Sequence, residues 1–421
     1  MHAAQTPVPT RDRVWIMDAL RGFAILGILI ANLNTFTFYM FGPVPDGRFL
    51  SAYDGTVQFW HHVLIEGKFY SIFSFLFGWG IALQLSRSVG EESSAVNLVR
   101  RRLGIMFLLG IAHLIFLWIG DIVAFYALVG FLLLPMRHWK TKTLFITAIA
   151  LILSPILLYF LKMQWPFLAA PTGVLMQTAG GIWDYFFPGA SDDAGLNAAV
   201  HNATYFDIIK LDIGGLFMRY GDLFFQSRIS KVLGMFIFGY LMGREGFYKK
   251  ALDDKGLLVK VAIAGLLIGL PANYALANYM EGDGYYNLTL QGWYQTVVYA
   301  LGVAPLAFAY MAIFFLLAHS RVGRGILQQF RYVGKMAFSN YILHSVIGLF
   351  FFTGVGLALD RQVGPLYYTL FGFTVFLVQI VLSRIWLHYF EYGPVEWIWR
   401  SATYRKWQPM KKKIGLTQVI S

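Results

Sequence analysis

The chain predicts an all-α, polytopic helical membrane protein with about ten transmembrane helices and both termini in the cytoplasm. Three observations carry that prediction. Of 421 residues, 57% are hydrophobic and only 13% are charged, against about 25% charged in soluble domains. Apolar runs long enough to cross a bilayer recur from end to end. They are continuous and not alternating, which argues against a β-barrel. The basic residues behind the net charge of +12 sit between these runs, so a topology signal explains them and no nucleic-acid partner is expected. There is no cysteine, which excludes disulfides, thiolate catalysis and Cys-ligated metals, and no metal is expected. The first apolar run lacks a small-residue cleavage site and reads as a retained span.

Spans are expected at 19–39, 66–86, 103–119, 122–136, 143–162, 229–243, 257–276, 295–318, 337–358 and 366–388. Arg11 and Arg13 precede the first. Arg87 and Arg100 to Arg102 follow the second, Arg137, Lys140 and Lys142 the fourth, and Arg244, Lys249, Lys250 and Lys255 the sixth. Arg321, Arg324, Arg331 and Lys335 follow the eighth, and Arg400, Arg405, Lys406 and Lys411 to Lys413 the tenth. The intervening connections are poor in Lys and Arg, which places both termini inside. Residues 1–421 then form a single transmembrane domain surrounded by membrane lipids, with one long outer connection at about 163–228. Connections of that length are usually functional or carry helices of their own. Phe206 to Phe225, with Arg219 and Asp222 among aromatics, reads as an interfacial helix or a re-entrant piece. The Trp- and Tyr-rich stretch at about 389–407 reads as a helix lying at the cytoplasmic interface.

Four motifs carry polar chemistry into the apolar runs. In MDALRGFAILGILIAN (Met17 to Asn32), Asp18 and Arg21 are three apart and share a helix face, and Asn32 joins the same stripe roughly 16 Å further along. The stripe reads as a substrate path, or else as an interfacial ion pair plus a helix–helix hydrogen bond. In EGKFYSIFSFLFGWG (Glu66 to Gly80), Glu66 and Lys68 lie near the outer end of the second span, as substrate contacts or as snorkelling side chains. Gly78 and Gly80 permit close helix packing. His61 and His62 just before it read as loop residues and not metal ligands, since no HExxH or second His cluster accompanies them.

The third motif is RRLGIMFLLGIAHLIFLWIGDIVAFYALVG (Arg101 to Gly130). Arg100, Arg101 and Arg102 suit phosphate groups, or serve only as a topology signal. His113 lies deep in the run and Asp121 at the outer turn. A neutral buried His accepts a proton and a carboxylate orients it; the plainer role is a core His bonded to a carbonyl. Eight residues on one straight helix put the two about 12 Å apart along the axis, so they cooperate only across a break at Gly120 or through an intervening molecule. Both are expected to line one outward-opening cavity shared with Asn32 and Glu66. The fourth motif is GKMAFSNYILHS (Gly334 to Ser345), whose Asn340 and His344 share a face, as substrate contacts or as packing between helices. No Walker A loop, GxSxG elbow or dinucleotide fingerprint occurs.

These segments, together with SRIWLHYFEYGPVEWIWRSATY (Ser383 to Tyr404), resemble the YeiB-like family of bacterial inner-membrane proteins (domain of unknown function 418) along nearly the whole chain. The first spans are similar to those of transmembrane acyltransferases such as heparan-α-glucosaminide N-acetyltransferase. The resemblance implies a multi-pass protein of the bacterial inner (cytoplasmic) membrane. It implies acyl-CoA or acetyl-CoA as donor in the cytosol and a sugar or lipid acceptor on the outer side. In that enzyme the acting His lies in the outer loop soon after the first span. Here no His occurs between Asn32 and Trp60, so His61, His62 or His113 would take the role, with His113 and Asp121 as the catalytic pair. Arg100, Arg101 and Arg102 would hold the donor's phosphates, and Asp18, Arg21, Asn32, Glu66, Lys68, Asn340 and His344 would contact substrate. A small-molecule or lipid transporter or flippase using the same stripe, and a non-enzymatic membrane scaffold, are the alternatives, and a homo-oligomer is left open.

Overall fold

A computed structural model describes residues 15–412 except 43, 45–46, 87–91 and 281–283. Arg11, Arg13, Arg87 and Lys413 lie outside the described residues. Among those residues no β-strand forms, and the chain is helix after helix.

The first third runs as α1 (Trp15–Phe36), α2 (Asp54–Leu64), α3 (Lys68–Ser86), α4 (Glu92–Phe116) and α5 (Val123–Leu133). Next come α6 (Thr141–Gln164), α7 (Ala170–Phe186), α8 (Asp193–His201), α9 (Tyr205–Phe225) and α10 (Arg228–Gly243). After α11 (Phe247–Asp253), α12 (Lys255–Met280) and α13 (Leu290–Leu317), the chain ends on α14 (Arg321–Lys335), α15 (Ala337–Phe352), α16 (Pro365–Tyr389) and α17 (Pro394–Tyr404). A helix occupies every position where the apolar runs predict a span. Six stretches are long and apolar enough to cross a membrane: α1, α2 with α3, α6, α12, α13 and α16. A seventh is counted if α14 and α15, bent by 75° at their junction, make one span. Of the shorter helices, α10 is enclosed by protein along most of its length, whereas α5 and α15 each keep an exposed apolar face, with Leu132 and Phe350 on it. Leu157 on α6, Leu267 on α12 and Leu377 on α16 remain exposed, as lipid-facing side chains do.

The core has two centres. Leu20, Ile25 and Leu29 of α1 meet Ile72, Leu76 and Trp79 of α3 in one. Leu103, Phe125, Tyr126, Leu144, Phe236 and Ile237, from α4, α5, α6 and α10, form the other. The two are joined where α3 crosses α10. A Cβ on Gly78 would lie 1.9 Å from the carbonyl oxygen of Phe236, and one on Gly239 would lie 1.8 Å from that of Phe75. The backbones therefore touch, as small residues allow in membrane helices. Gly80 is different, since a Cβ there would meet only Arg21 Nη2 at 3.7 Å.

Two stretches depart from the sequence reading. Arg321 to Lys335, expected as a basic connection, is the amphipathic helix α14. Val322, Ile326, Leu327, Phe330 and Val333 recur at helical spacing, and α14 lies along α1, where a Cβ on Gly334 would fall 1.7 Å from the Asp18 carbonyl oxygen. His61 and His62, expected in a loop, sit in the last turn of α2, which packs on α12 and α16.

The start of α15 is capped from α17. The Glu396 carboxylate accepts from the backbone N–H groups of Phe338 (2.7 Å) and Ser339 (3.2 Å) and from Ser339 Oγ (2.5 Å). Burial pushes the Glu396 carboxyl up from its ordinary value, and these bonds pull it part of the way back. Glu396→Ala would leave buried donors unmet at a cost of about 1–3 kcal/mol. A lower melting midpoint in detergent, with most of the loss absent in Glu396→Gln, is the expected result. An alanine variant that melts with the parent would show that the cap adds nothing.

Candidate functional site

Helix α4 stops at Phe116, and residues 117–122 cross to α5 without helical structure. The break predicted near Gly120 thus begins one turn earlier, and it brings Asp121 back towards α4. His113 Nδ1 lies 2.8 Å from Asp121 Oδ2, and His113 Nε2 lies 2.8 Å from Ser345 Oγ on α15. A carboxylate only accepts, so Nδ1 carries the proton and donates to Asp121. Nε2 is left to accept from the Ser345 hydroxyl. The second oxygen of Asp121 accepts from the N–H of Ala124 at 2.8 Å, which fixes the carboxylate at the start of α5. All three side chains are buried, with Ser345 only 1% exposed. An acid, an imidazole and a hydroxyl in this order constitute the relay in which the imidazole can take the serine proton and so activate its oxygen as a nucleophile, and such a relay is recognised by geometry whatever the fold.

Beside the relay is a cavity of about 800 Å³, walled by α1, α2, α7, α9, α10, α13 and α15. The 163–228 connection lines one side of it with residues of α7, α8 and α9, which pack around Trp183, Ile208 and Leu211. Ile28, Ala31, Asn32 and Thr35 supply one face of α1 to it. Asn32 and Glu66 line the cavity as expected, and so do His61 and His62. His113 and Asp121 do not. This corrects the expectation of a shared lining: the relay stands one layer behind the wall. Gly120, Trp118 and Tyr341 form that wall, with the Tyr341 ring 5.2 Å from the His113 ring and the Tyr341 hydroxyl 3.4 Å from the Gly120 carbonyl.

The remaining predicted residues fall into three places. Asp18 and Arg21 pair at 2.9 Å near the opposite end of α1, far along the helix from Asn32. Glu66 pairs with His62 at 2.6 Å, and the fully buried Lys68 donates to the His62 carbonyl at 2.6 Å, behind the cavity lining. Asn340 and His344 make packing contacts between α15 and α16: Asn340 Nδ2 donates to Ser383 Oγ at 3.1 Å, and His344 Nε2 lies 3.0 Å from Gln379 Oε1. Neither reaches the cavity. On α4 the Arg102 guanidinium lies 4.0 Å over the Trp399 ring, and Trp399 Nε1 donates to the Arg102 carbonyl at 3.0 Å. Arg100 is exposed, and the Nε of Arg101 is buried without a partner.

Several groups at the site escaped the sequence reading. Ser345 was the last residue of a motif read only for Asn340 and His344. Arg228 and Lys231 line the cavity, with Arg219. They lie on the side where the charge rule expects few basic residues, and that exception was the available signal.

The fold and the cavity define a polytopic, all-helical membrane protein with a buried polar relay. The chain belongs to the DUF418 family, whose model, described as a protein of unknown function, matches residues 242–406. It is 30% identical over 420 residues to the uncharacterised protein YxaH of Bacillus subtilis, covering 97% of this chain and 98% of that one. It is 27% identical over 424 residues to the uncharacterised protein YeiB of Escherichia coli, covering 96% and 99%. An uncharacterised 39.9 kDa protein of Bacillus acidopullulyticus is 26% identical over 407 residues.

Proposed function

We propose that this protein is a transmembrane acyltransferase of the bacterial cytoplasmic membrane. It would move an acyl group from cytosolic acyl-CoA to a sugar or lipid acceptor held in the outer cavity. The observation that supports this reading is the Asp121–His113–Ser345 chain, with both links at 2.8 Å, directly behind the cavity wall.

The donor end is α4. Arg101, with a buried Nε lacking a partner, and the exposed Arg100 suit phosphate oxygens, while Trp399 orients Arg102. Arg102 to His113 spans eleven residues, about 16 Å of helix, which is the gap the donor's flexible arm bridges. When bound, acyl-CoA supplies an activated acyl carbon. The Ser345 hydroxyl gives its proton to His113 Nε2 as its oxygen attacks that carbon, and the departing thiol sulfur takes the proton back. In the second half, with the Trp118 and Tyr341 side chains of the wall turned aside so that the acceptor reaches the relay, the acceptor hydroxyl gives its proton to His113 Nε2, its oxygen takes the acyl group, and the proton returns to Ser345. Asp121 holds the imidazole in the tautomer that can accept at Nε2.

Incubation of the purified protein with radiolabelled acetyl-CoA, with and without cell-envelope material, tests this. The expected result is label on the protein in the absence of acceptor, lost in Ser345→Ala, and label on envelope material in its presence. Transfer that persists undiminished in Ser345→Ala would remove the serine from the scheme. No transfer and no labelling at any acyl-CoA concentration would reject acyl transfer in favour of transport.

A further inference from the structure

The cavity wall carries a feature that acyl transfer by itself does not require. Arg228 and Lys231 are three apart at the N-terminal turn of α10, so their side chains stand side by side and both line the cavity. Lys231 is 9% exposed. Among the described residues its ammonium makes no hydrogen bond and no ion pair; its one polar contact is the face of Tyr299, 4.1 Å away. Arg228 lies 4.8 Å over the Tyr70 ring and spends one nitrogen on Gln226 Oε1 at 2.6 Å, while its Nε is buried without a partner. The hydroxyls of Tyr70 and Tyr299 bond to each other, which locks the two rings under the two cations.

The neighbouring acids have other partners. Glu66 is held by His62. Asp222 accepts from Gln226 Nε2 at 2.7 Å and from the Tyr286 hydroxyl at 2.8 Å. Asp222 and Glu66 therefore act on the two cations only at a distance, and a buried ammonium without a contacting counter-ion is unfavourable. Placing two cations at a helix N-terminus also opposes the helix dipole, which favours negative charge there. The N-cap residue Ser227 gives no side-chain bond to the first-turn amides. One addition relieves all of this at once: an anion in the cavity, against the helix N-terminus and between Arg228 and Lys231.

We infer that Arg228, Lys231 and the first turn of α10 form a subsite for a phosphate group carried by the molecule that occupies the outer cavity. Arg228 offers a fork to two oxygens and Lys231 a point charge. A cavity of about 800 Å³ takes a group of sugar-phosphate size. The phosphate arrives either on a soluble sugar phosphate or on a lipid headgroup. The subsite goes beyond acyl transfer, since binding alone defines it.

The test is therefore binding by the full-length protein. In detergent, glucose 1-phosphate is expected to raise the melting midpoint by mass action, and glucose at the same concentration to leave it unchanged. In nanodiscs, phosphatidic acid added to phosphatidylcholine is the lipid arm. Stabilisation by the sugar phosphate alone assigns a soluble source, and stabilisation by phosphatidic acid alone assigns a lipid source. Arg228→Gln and Lys231→Met are each expected to weaken half-saturation about tenfold or more. Without ligand, Lys231→Met is expected to melt no lower than the parent, because it removes an unpaired buried charge. A lower midpoint for that variant would mark Lys231 as a structural residue and count against the subsite. If neither phosphate probe shifts the parent, or if both variants respond as the parent does, the subsite is refuted. Acetyl transfer is not read, so either proposal can fail while the other stands.

Discussion

His113→Gln is expected to slow acyl transfer by about 100- to 10,000-fold, the usual contribution of a positioned general base. The reasoning starts from the two 2.8 Å links. The imidazole is the one group touching both Asp121 and Ser345, so its loss removes the proton acceptor and separates the other two. Glutamine is the better replacement than alanine. It leaves a donor and an acceptor to meet the buried partners, whereas alanine would strand them at a cost of about 1–3 kcal/mol each. The loss should fall on kcat, with KM for acetyl-CoA little changed, since His113 contacts neither the donor end of α4 nor the cavity. Asp121→Asn should give a smaller protein disturbance and a comparable rate loss, because an amide can donate to Nδ1 and reverse the tautomer. A His113→Gln variant with parental kcat would dismiss the relay as a packing device.

The second large effect is structural. Gly239→Val should abolish recovery of monodisperse protein, and Gly239→Ala should already lower the melting midpoint sharply. At 1.8 Å from the Phe75 carbonyl oxygen a Cβ has no room. The obstacle is backbone, which cannot rotate away as a side chain can. Overpacking of this kind costs about 1–3 kcal/mol and sometimes more, and here it would force apart the crossing that joins the two cores. Gly80→Ala is the control on the neighbouring turn of α3: its nearest neighbour is a mobile Arg21 nitrogen at 3.7 Å, so it should melt within a degree or so of the parent. Equal behaviour of the two alanine variants would overturn the crossing as the rigid point of the bundle.

Much of the local structure was legible in the sequence because it follows from spacing. The Asp18–Arg21 pair, the descent of Asn32 to the cavity and the close approach at Gly78 each depend on residues within one helix or on one small side chain. The link between His113 and Asp121 was legible as a requirement for a break. What stayed hidden depends on distant pairing. Ser345 completes the relay from 232 positions away, and no periodicity carries that information. The capping of α15 by Glu396 is hidden for the same reason. Helix α14 was misread because its four basic residues suit a topology signal, although its apolar residues keep helical spacing. His113 was expected at the cavity surface because a polar residue in an apolar run suggests access; the structure satisfies it with neighbours instead.

The pairing of α1 has a consequence for how the chain is made. One partner, α3, follows shortly, but α14, α15 and α16 are encoded in the last quarter of the sequence. At a synthesis rate of about 5–20 residues per second, α1 waits on the order of tens of seconds for them. A lone carboxylate on a membrane helix is costly, less so near the end of the helix, where Asp18 lies, than at its centre. Asp18 and Arg21 sit on the same helix face three residues apart, so α1 brings its own counter-charge and needs no other helix to neutralise it. The ion pair thus lets the first helix persist in lipid through the interval between its birth and its burial.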